Sequence, residues 1–350
     1  MAPSLLVRAA RGEVTEQIPI WLMRQAGRYL PEFHTVRSQS DFLTVCKTPK
    51  LSAELTIQPY TRFGGINGLS ACIVFSDILT IPAAMGQNLT MIKGEGPKLT
   101  PRLENPAQMD TLNLTPNVHT QLGYVGDAIR ESISLLRAQH PTENVPVIGF
   151  SGAPWTLFTY MVEGGGSRHW TESRAWLYKH PAESKKLLSA ITEIVIEYLI
   201  MQIDAGASLI QIFDTNAGEL PPSVYEEFCV DDLLYIASEL KRQRPDCPLI
   251  CFPKDCTNLA PFNESHYDVI GISWKTDAAI AREMLPSKVL QGNLDPAVMY
   301  AGDAVICEKV GEMIKKFGKE KYIANLGHGM MPDMNPSMVE SFIKGVVNAQ

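Results

Sequence analysis

Residues 208–252, SLIQIFDTNAGELPPSVYEEFCVDDLLYIASELKRQRPDCPLICF, decide the fold class. They begin with an apolar run at Ser208–Phe213, continue through an amphipathic segment at Pro222–Arg242 and end with a second apolar run at Pro248–Phe252. Short runs rich in apolar residues are typical of strands buried on both faces, and the longer segment is typical of a helix. A strand–helix–strand unit of this kind predicts that the two strands pair in parallel.

The same alternation recurs along the 350-residue chain. Eight strand-like runs separated by helical segments predict one α/β domain over residues 1–350, a closed (β/α)8 barrel of the TIM type, with an open doubly wound sheet as the alternative. The long gaps at 24–70, 76–144 and 151–207 predict extra helices and long βα loops. The other predicted strands are Ile18–Met23, Ala71–Phe75, Val145–Phe150, Val269–Ile272, Lys288–Leu290 and Tyr322–Leu326, and the other predicted helices are Ser184–Asp204, Asp277–Met284, Asp303–Phe317 and Pro336–Val347.

Composition and charge narrow the class of protein. The net charge is −7, which argues against a nucleic-acid or membrane partner held by bulk positive charge. No apolar run is long enough for a membrane span, and Met1–Ala10 lacks the apolar core of a signal peptide. Seven scattered cysteines fit reduced thiols. The sequence therefore predicts a soluble cytoplasmic protein.

Polar and aromatic side chains follow each predicted strand. In (β/α)8 barrels the chemistry takes place where strands end and βα loops begin, so these residues should converge on one rim of the barrel. In chain order they are Arg24 and Arg28, Ser76 and Asp77, Trp155 and Tyr160, Asp214 and Thr215, Lys254 and Asp255, Trp274, Asn293 and Asp295, and His328.

Three of these residues, a pair of arginines and an aspartate, suggest how an anion and a polar ring could be held. Arg24 and Arg28 bracket a short stretch that ends in Gly27, and arginine binds carboxylates through its planar fork. The alternative is a pair of solvated surface arginines. Asp77 ends a strongly apolar stretch, so its carboxylate could accept N–H groups or stabilise a cation at the barrel mouth. The alternative is an aspartate that caps the next helix.

Three further motifs carry weaker indications. The glycines at 164–166 favour a mobile or tightly turning loop over a site, or an ordinary flexible loop. His328 lies between two glycines and could donate to an anion or transfer a proton, although a lone histidine is often structural. The spacing of Cys247, Cys251 and Cys256 does not match a standard zinc pattern, so no metal site is predicted.

Five blocks of sequence resemble the uroporphyrinogen decarboxylase family, and the resemblance extends over nearly the whole chain. Residues 20–29, IWLMRQAGRY, resemble the family's N-terminal signature, and residues 149–156, GFSGAPWT, are similar to its second signature. Blocks that match in the same order are FSDIL at 75–79, QGNLDP at 291–296 and NLGHG at 325–329.

The resemblance implies a (β/α)8 barrel and a cofactor-free carboxy-lyase without a metal, which forms a homodimer. The implied reaction converts the four acetate side chains of uroporphyrinogen III to methyls, giving coproporphyrinogen III and CO2 in haem and tetrapyrrole biosynthesis. Asp77, Arg24 and Tyr160 are implied as catalytic. The implied substrate contacts are Arg24, Gln25, Ala26, Gly27, Arg28, Phe33, Asp77, Tyr160, Phe213, Thr215 and His328.

Some positions depart from the family pattern, and two other functions remain open. Thr215 stands where serine is common, Ser273 where aspartate is expected and Cys256 where glycine is expected. A zinc-dependent corrinoid or thiol methyltransferase of the same superfamily is the first alternative, with the cysteines as ligands. A tetrapyrrole carrier that binds without releasing CO2 is the second.

Overall fold

The computed structural model describes residues 3–92 and 94–350, and its centre is a curled parallel sheet surrounded by helices. The strands are β1 (Cys72–Ile73), β2 (Asn88–Ile92), β3 (Gly96–Thr100), β4 (Val147–Gly152), β5 (Leu209–Asp214), β6 (Leu249–Pro253), β7 (Val269–Gly271), β8 (Val289–Leu294) and β9 (Tyr322–Leu326). The α-helices are α1 (Leu5–Ala10), α2 (Pro31–Arg37), α3 (Phe42–Lys47), α4 (Pro49–Phe63), α5 (Thr80–Ala84), α6 (Val118–Gln139), α7 (Pro154–Glu163), α8 (Thr171–Lys179), α9 (Pro181–Asp204), α10 (Pro222–Tyr225), α11 (Asp231–Gln243), α12 (Ala278–Met284), α13 (Asp303–Phe317) and α14 (Ser337–Ala349).

Seven strands form the main sheet in the order β1-β4-β5-β6-β7-β8-β9, and every neighbouring pair is parallel. Parallel neighbours that follow chain order require a crossover between successive strands, and helices provide most of these crossovers. The connection from β6 to β7 is an exception, since it contains only a 3-10 turn at Ala260–Phe262. β4, β6 and β9 are buried along their whole length. This burial agrees with the continuous apolar runs in the sequence. The strand order follows chain order without the reversal of a doubly wound sheet, which supports the TIM-type barrel rather than the open sheet.

The segment predicted as the first strand, Ile18–Met23, joins the two edges of this sheet. Trp21 N donates to Ala324 O at 3.3 Å, and Ser70 N, just before β1, donates to Ile20 O at 2.7 Å. The indole of Trp21 is fully buried and donates to Gln291 Oε1 of β8 at 2.6 Å. Only Ile20 forms a strand-type bridge, because Pro19 has no N–H for a longer ladder. The segment thus connects the two edges of the sheet, but the strand predicted at Ile18–Met23 is reduced to a single bridge.

Other elements differ from the predicted bounds in ways that have local causes. β1 has two residues where five were predicted, whereas β8 continues to Leu294. The predicted helix at Pro222–Arg242 is interrupted by a π-helical turn at Glu226–Val230 between α10 and α11. Within the long gap at 76–144 lies an antiparallel hairpin, β2–β3, which the sequence did not suggest. Along the described chain, no helix is both long enough and apolar enough to cross a membrane.

Candidate active site at the carboxyl ends of the strands

The polar residues predicted at the rim follow the carboxyl ends of the strands. Asp77 comes four residues after β1, Thr215 directly after β5 and His328 two residues after β9. Tyr160 lies on α7, which begins two residues after β4. Because parallel strands of a barrel end at the same face, these side chains share one rim.

Arg24 reaches the rim through an unusual backbone conformation. Its φ is 57°, in the left-handed region that non-glycine residues seldom adopt. The preceding residue is fixed on both sides, since Met23 N donates to Asn325 Oδ1 and Met330 N donates to Met23 O, both at 3.0 Å. The surroundings therefore hold Arg24 in a conformation that costs on the order of 1 kcal/mol or more. No ion pair among the described residues involves Arg24, so its guanidinium is available to an anion.

The two glycines around His328 have separate packing reasons. A Cβ at Gly329 would lie 2.3 Å from Cδ of Arg24, so the arginine side chain lies directly over this glycine. A Cβ at Gly327 would lie 2.3 Å from the backbone N of Trp274. The Gly-His-Gly sequence thus allows the loop after β9 to approach both Arg24 and Trp274 closely.

We expect Gly327→Ala to lower the free energy of unfolding by about 1–3 kcal/mol, because the new methyl would meet rigid backbone. Thermal unfolding followed by circular dichroism measures this. Gly311→Ala is the matched control, because Gly311 lies in α13 with nothing within 4 Å of an added Cβ. That substitution should be neutral or stabilising. Equal unfolding temperatures for Gly327→Ala and wild type would contradict the close packing against Trp274.

Asp77 presents a carboxylate that is only partly used by the protein. Its Oδ1 accepts a hydrogen bond from Leu79 N, two residues on, at 2.7 Å. The helix α5 begins at Thr80, and its N-cap residue is Leu79. Asp77 is therefore not the helix cap that the alternative interpretation required. The surrounding apolar residues desolvate the carboxyl and raise its pKa, and the bond from Leu79 N opposes this only in part.

Tyr160 is electrostatically coupled to both Asp77 and Arg24. Desolvation raises the pKa of Tyr160 most, the charge of Asp77 raises it further and the charge of Arg24 lowers it. The Tyr160 ring packs edge-on against Trp170 with ring centroids 5.2 Å apart. Its hydroxyl has no protein hydrogen-bond partner among the described residues. The three residues implied as catalytic thus share one electrostatic environment.

His328 is a neutral imidazole at ordinary pH. Burial lowers its pKa to about 4, and the positive charges of Arg24 and Lys254 add to the effect. Its Nδ1 accepts from Gly329 N at 2.5 Å, which leaves Nε2 to carry the proton and to donate. A neutral His328 therefore presents an Nε2–H donor rather than a positive charge.

Of the three residues between Arg24 and Arg28, one is buried and has a structural role, and two are partly accessible. Gln25 is fully buried, and its side chain donates to Ala71 O at 2.9 Å and accepts from Leu22 N at 3.3 Å. That side chain fixes the loop to the chain before β1, and no part of Gln25, backbone included, is exposed to a ligand. Ala26 and Gly27 are partly accessible, and Arg28 is exposed and has no ion pair among the residues described.

The two phenylalanines predicted as walls of the pocket, Phe33 and Phe213, each pack against another aromatic ring. Phe33 of α2 is buried and packs edge-on against Phe75, with ring centroids 5.9 Å apart. Phe213 at the end of β5 is half-buried and packs against Phe150 at 5.8 Å. Thr215 is also half-buried, so its hydroxyl can reach a ligand. Ring-lined walls of this kind suit a large, mainly apolar ligand.

The loop after β6 contains a carboxylate, Asp255, that contacts Ser273. Ser273 stands where aspartate was expected, and its hydroxyl donates to Asp255 Oδ1. Asp255 Oδ2 lies 3.0 Å from Lys254 Nζ and 2.8 Å from Lys275 Nζ. The departure at Ser273 is thus compatible with an acidic group in this corner. Lys275 did not appear among the predicted rim residues, although it directly follows Trp274.

The cysteine cluster does not assemble into a ligand set. Cys247 Sγ bonds to Pro248 O, Cys256 Sγ bonds to Asn258 O, and Cys251 is fully buried in β6. Desolvation raises the pKa of Cys256 to about 11 and of Cys247 to about 12, which disfavours thiolates. Across residues 3–92 and 94–350, no three His, Cys, Asp or Glu side chains form a group that could hold a metal. Among these described residues nothing thus favours the zinc-dependent methyltransferase alternative.

Comparison with known proteins gives one consistent family. The model of the family described as uroporphyrinogen decarboxylase matches residues 1–348. The uroporphyrinogen decarboxylase of Dictyostelium discoideum is 46% identical over 97% of this chain and 92% of its own, and that of Danio rerio is 44% identical over 98% and 92%. A methyltransferase from Methanosarcina mazei shares the fold, with a TM-score of 0.79 at 20% identity over 99% of both chains.

Proposed function

The chain belongs to the uroporphyrinogen decarboxylase family, and from this premise we propose that it removes the carboxyl groups of the four acetate side chains of uroporphyrinogen III. The products are coproporphyrinogen III and CO2, and the step belongs to haem and tetrapyrrole biosynthesis. The observation that carries the proposal is one desolvated carboxylate, Asp77, on the same rim as two arginines without protein ion-pair partners, Arg24 and Arg28.

The substrate provides its own electron sink. A proton adds to a ring carbon of a pyrrole and makes a cation. The bond to the carboxylate then breaks, CO2 leaves, and the electron pair of that bond neutralises the cation and forms an exocyclic methylene. Protonation of the methylene carbon gives the methyl group, and loss of the ring proton restores the pyrrole. The protein has to hold the carboxylate, stabilise the cation and exclude water.

Asp77 and Arg24 have complementary roles in this scheme. Asp77 accepts the inward-pointing pyrrole N–H groups and stabilises the cation, which a desolvated carboxylate does more strongly than a hydrated one. Arg24 holds the reacting acetate through its fork, and its own pKa is lowered mainly by burial. A guanidinium remains a poor acid even so, and we assign it binding rather than proton donation.

The remaining residues bind and orient the substrate. Arg28 and His328 take other carboxylates, one as a cation and the other as a neutral donor. Tyr160 and Thr215 hydrogen-bond near the reacting acetate. Phe33, Phe213 and the backbone of Ala26 and Gly27 complete the pocket, since glycine and alanine permit a ligand to approach the chain closely, and the buried Gln25 holds this loop in place.

We further propose that the protein is cytoplasmic, acts as a homodimer with one catalytic domain per chain, and requires neither a metal nor an organic cofactor. Analytical ultracentrifugation tests the dimer. A chelator added to the activity assay tests the requirement for metal.

Anaerobic incubation with enzymatically reduced uroporphyrinogen III, followed by chromatography of the oxidised products, tests the function. We expect stepwise loss of carboxyl groups down to the four-carboxyl product, also with chelator present. Tight binding without loss of carboxyl groups would instead indicate a carrier. Absence of both binding and turnover would reject the proposal.

The protonation of His328 can be tested directly. Because its folded-state pKa is lowered to about 4 from about 6.5, the neutral form stabilises the fold above pH 6.5, and this stabilisation is lost as the pH falls towards 4. We expect the labelled imidazole of His328 to remain neutral in NMR spectra down to about pH 5. His328→Gln should reduce the loss of unfolding temperature between pH 6.5 and 4. Titration of His328 near 6.5 would contradict its burial beside Arg24 and Lys254.

A further inference from the structure

Two lysines on the rim share one carboxylate. Lys254 follows β6 and Lys275 lies in the loop after β7, and both ammonium groups bond to Oδ2 of Asp255, at 3.0 and 2.8 Å. The other oxygen of Asp255 already accepts from Ser273 Oγ. Asp255 is therefore fully partnered, and the cluster retains one positive charge in excess. Each ammonium has three N–H donors and uses one on Asp255, so both lysines can still donate to a ligand.

The lysine pair lies next to the candidate active site. Lys254 Nζ and Lys275 Nζ are 5.7 and 5.6 Å from the ring centroid of Trp274. The same ring packs against the imidazole of His328 at 5.8 Å. The charge of Lys254 also acts on the protonation of His328. Trp274 thus connects the cluster to the residue that is assigned to a substrate carboxylate.

A structural role needs only one of the two lysines. One ammonium neutralises Asp255, and Lys254, whose side chain is 15% exposed, is the partner that the fold covers. The side chain of Lys275 is 60% exposed and adds a second positive charge on the solvent side of Asp255. An exposed ion pair contributes little to stability, and Lys275 differs from other exposed pairs in lying beside Trp274, which packs against His328.

We propose that Lys254 and Lys275 form a second carboxylate subsite, which holds a side-chain carboxylate of the tetrapyrrole that is not reacting. The identity of this ligand rests on the proposed function. The geometry of the subsite rests on residues other than those already assigned to substrate binding. Four different acetates must take the reacting position in turn, so the outer carboxylates meet the protein in changing positions. A flexible lysine acts as a point charge and tolerates this change better than the planar fork of arginine. Trp274 offers a flat surface to the macrocycle.

The test is steady-state kinetics with uroporphyrinogen III for wild type, Lys275→Gln and the double variant Lys254→Gln/Lys275→Gln. We expect the KM to rise by about 3-fold in the single variant and about 10-fold in the double variant, with the effect in KM rather than kcat. The rise should shrink in high salt, because screening weakens the same attraction in wild type.

Lys316→Gln is the matched control, because Lys316 is 59% exposed and also pairs with one aspartate, Asp277, at 3.3 Å. An unchanged KM in the folded double variant, or an equal rise in Lys316→Gln, would overturn the subsite. If wild type shows no turnover, the proposed function fails, and the subsite is then tested by equilibrium binding of uroporphyrin, which has eight carboxylates. Equal affinity of wild type and the double variant in that measurement would also overturn it.

Discussion

Asp77→Asn should lower kcat by about 10²–10³-fold while the protein remains folded. Asparagine has the same shape and keeps an oxygen for the bond from Leu79 N, so the turn before α5 persists. The negative charge that stabilises the pyrrole cation is lost, and removal of one group of this kind costs about 3–4 kcal/mol in the transition state. Single-turnover decarboxylation of uroporphyrinogen III measures the loss.

The same variant should be no less stable than wild type. Burial raises the pKa of Asp77, so the fold favours the protonated carboxyl. That stabilisation is complete below the unfolded pKa of about 3.9 and is lost as the pH rises through the folded pKa. Above the unfolded pKa of about 3.9 the buried carboxyl therefore costs the native state stability, and a neutral asparagine relieves this cost. We expect an unfolding temperature at pH 7 that is equal to or above wild type, with the advantage shrinking as the pH falls.

Asp127→Asn is the control, because Asp127 lies on the exposed surface of α6 and pairs with Arg130 at 2.6 Å. It should leave kcat unchanged. If Asp77→Asn loses activity together with several degrees of unfolding temperature, the loss is structural. If a folded Asp77→Asn enzyme turns over at a near-normal rate, Asp77 does not stabilise the cation.

Arg24→Lys should lower kcat/KM by about 10²-fold, and Arg24→Gln by about 10³-fold. Lysine keeps the charge but cannot hold a carboxylate through two parallel N–H bonds, and its stem does not place the charge where the guanidinium lies. Both substitutes have unbranched side chains, so the left-handed backbone at residue 24 costs about the same as before. The unfolding temperature should consequently change little, and the loss should appear in turnover.

Arg137→Lys on the exposed surface of α6 is the control and should behave as wild type. Comparison with Arg28→Lys distinguishes the residue that holds the reacting acetate from the residue that holds another carboxylate. Arg28 is assigned to a carboxylate that does not react, so its replacement should raise KM more than it lowers kcat. If Arg24→Lys retains more than a third of the wild-type kcat/KM, its fork is not needed at the reacting acetate.

The sequence predicted the parts of the fold that depend on local periodicity. The runs at Ser208–Phe213 and Tyr322–Leu326 became β5 and β9 with almost the same bounds, because buried parallel strands have continuous apolar composition. The first run did not become a strand, since the hydrogen bonds of Ile18–Met23 depend on two distant sheet edges and on Pro19. A long-range pairing of this kind leaves no periodic signal in the local sequence.

The candidate site also has features that the sequence predicted and features that it did not. Strand ends and the family blocks predicted that Arg24, Asp77, Tyr160 and His328 lie on one rim, and the structure places them there. The left-handed conformation of Arg24 and its packing over Gly329 were not predictable, because they arise from contacts with the loop after β9. The burial of the Gln25 side chain and the position of the Lys275 ammonium were also not predictable, because both depend on the surrounding loops.

The junction between residues 18–23 and the two sheet edges also has a consequence for how the protein is made. Arg24 follows directly after Met23, which is held by Asn325 and Met330, and these two residues leave the ribosome about 300 residues later. At roughly 5–20 residues per second, the arginine waits some 15–60 s for its partners. The barrel therefore closes only after β9 has been synthesised, and a nascent chain lacking β9 has neither a closed barrel nor a positioned Arg24. A message truncated just before the codon for Tyr322 would yield an open chain and no partial enzyme.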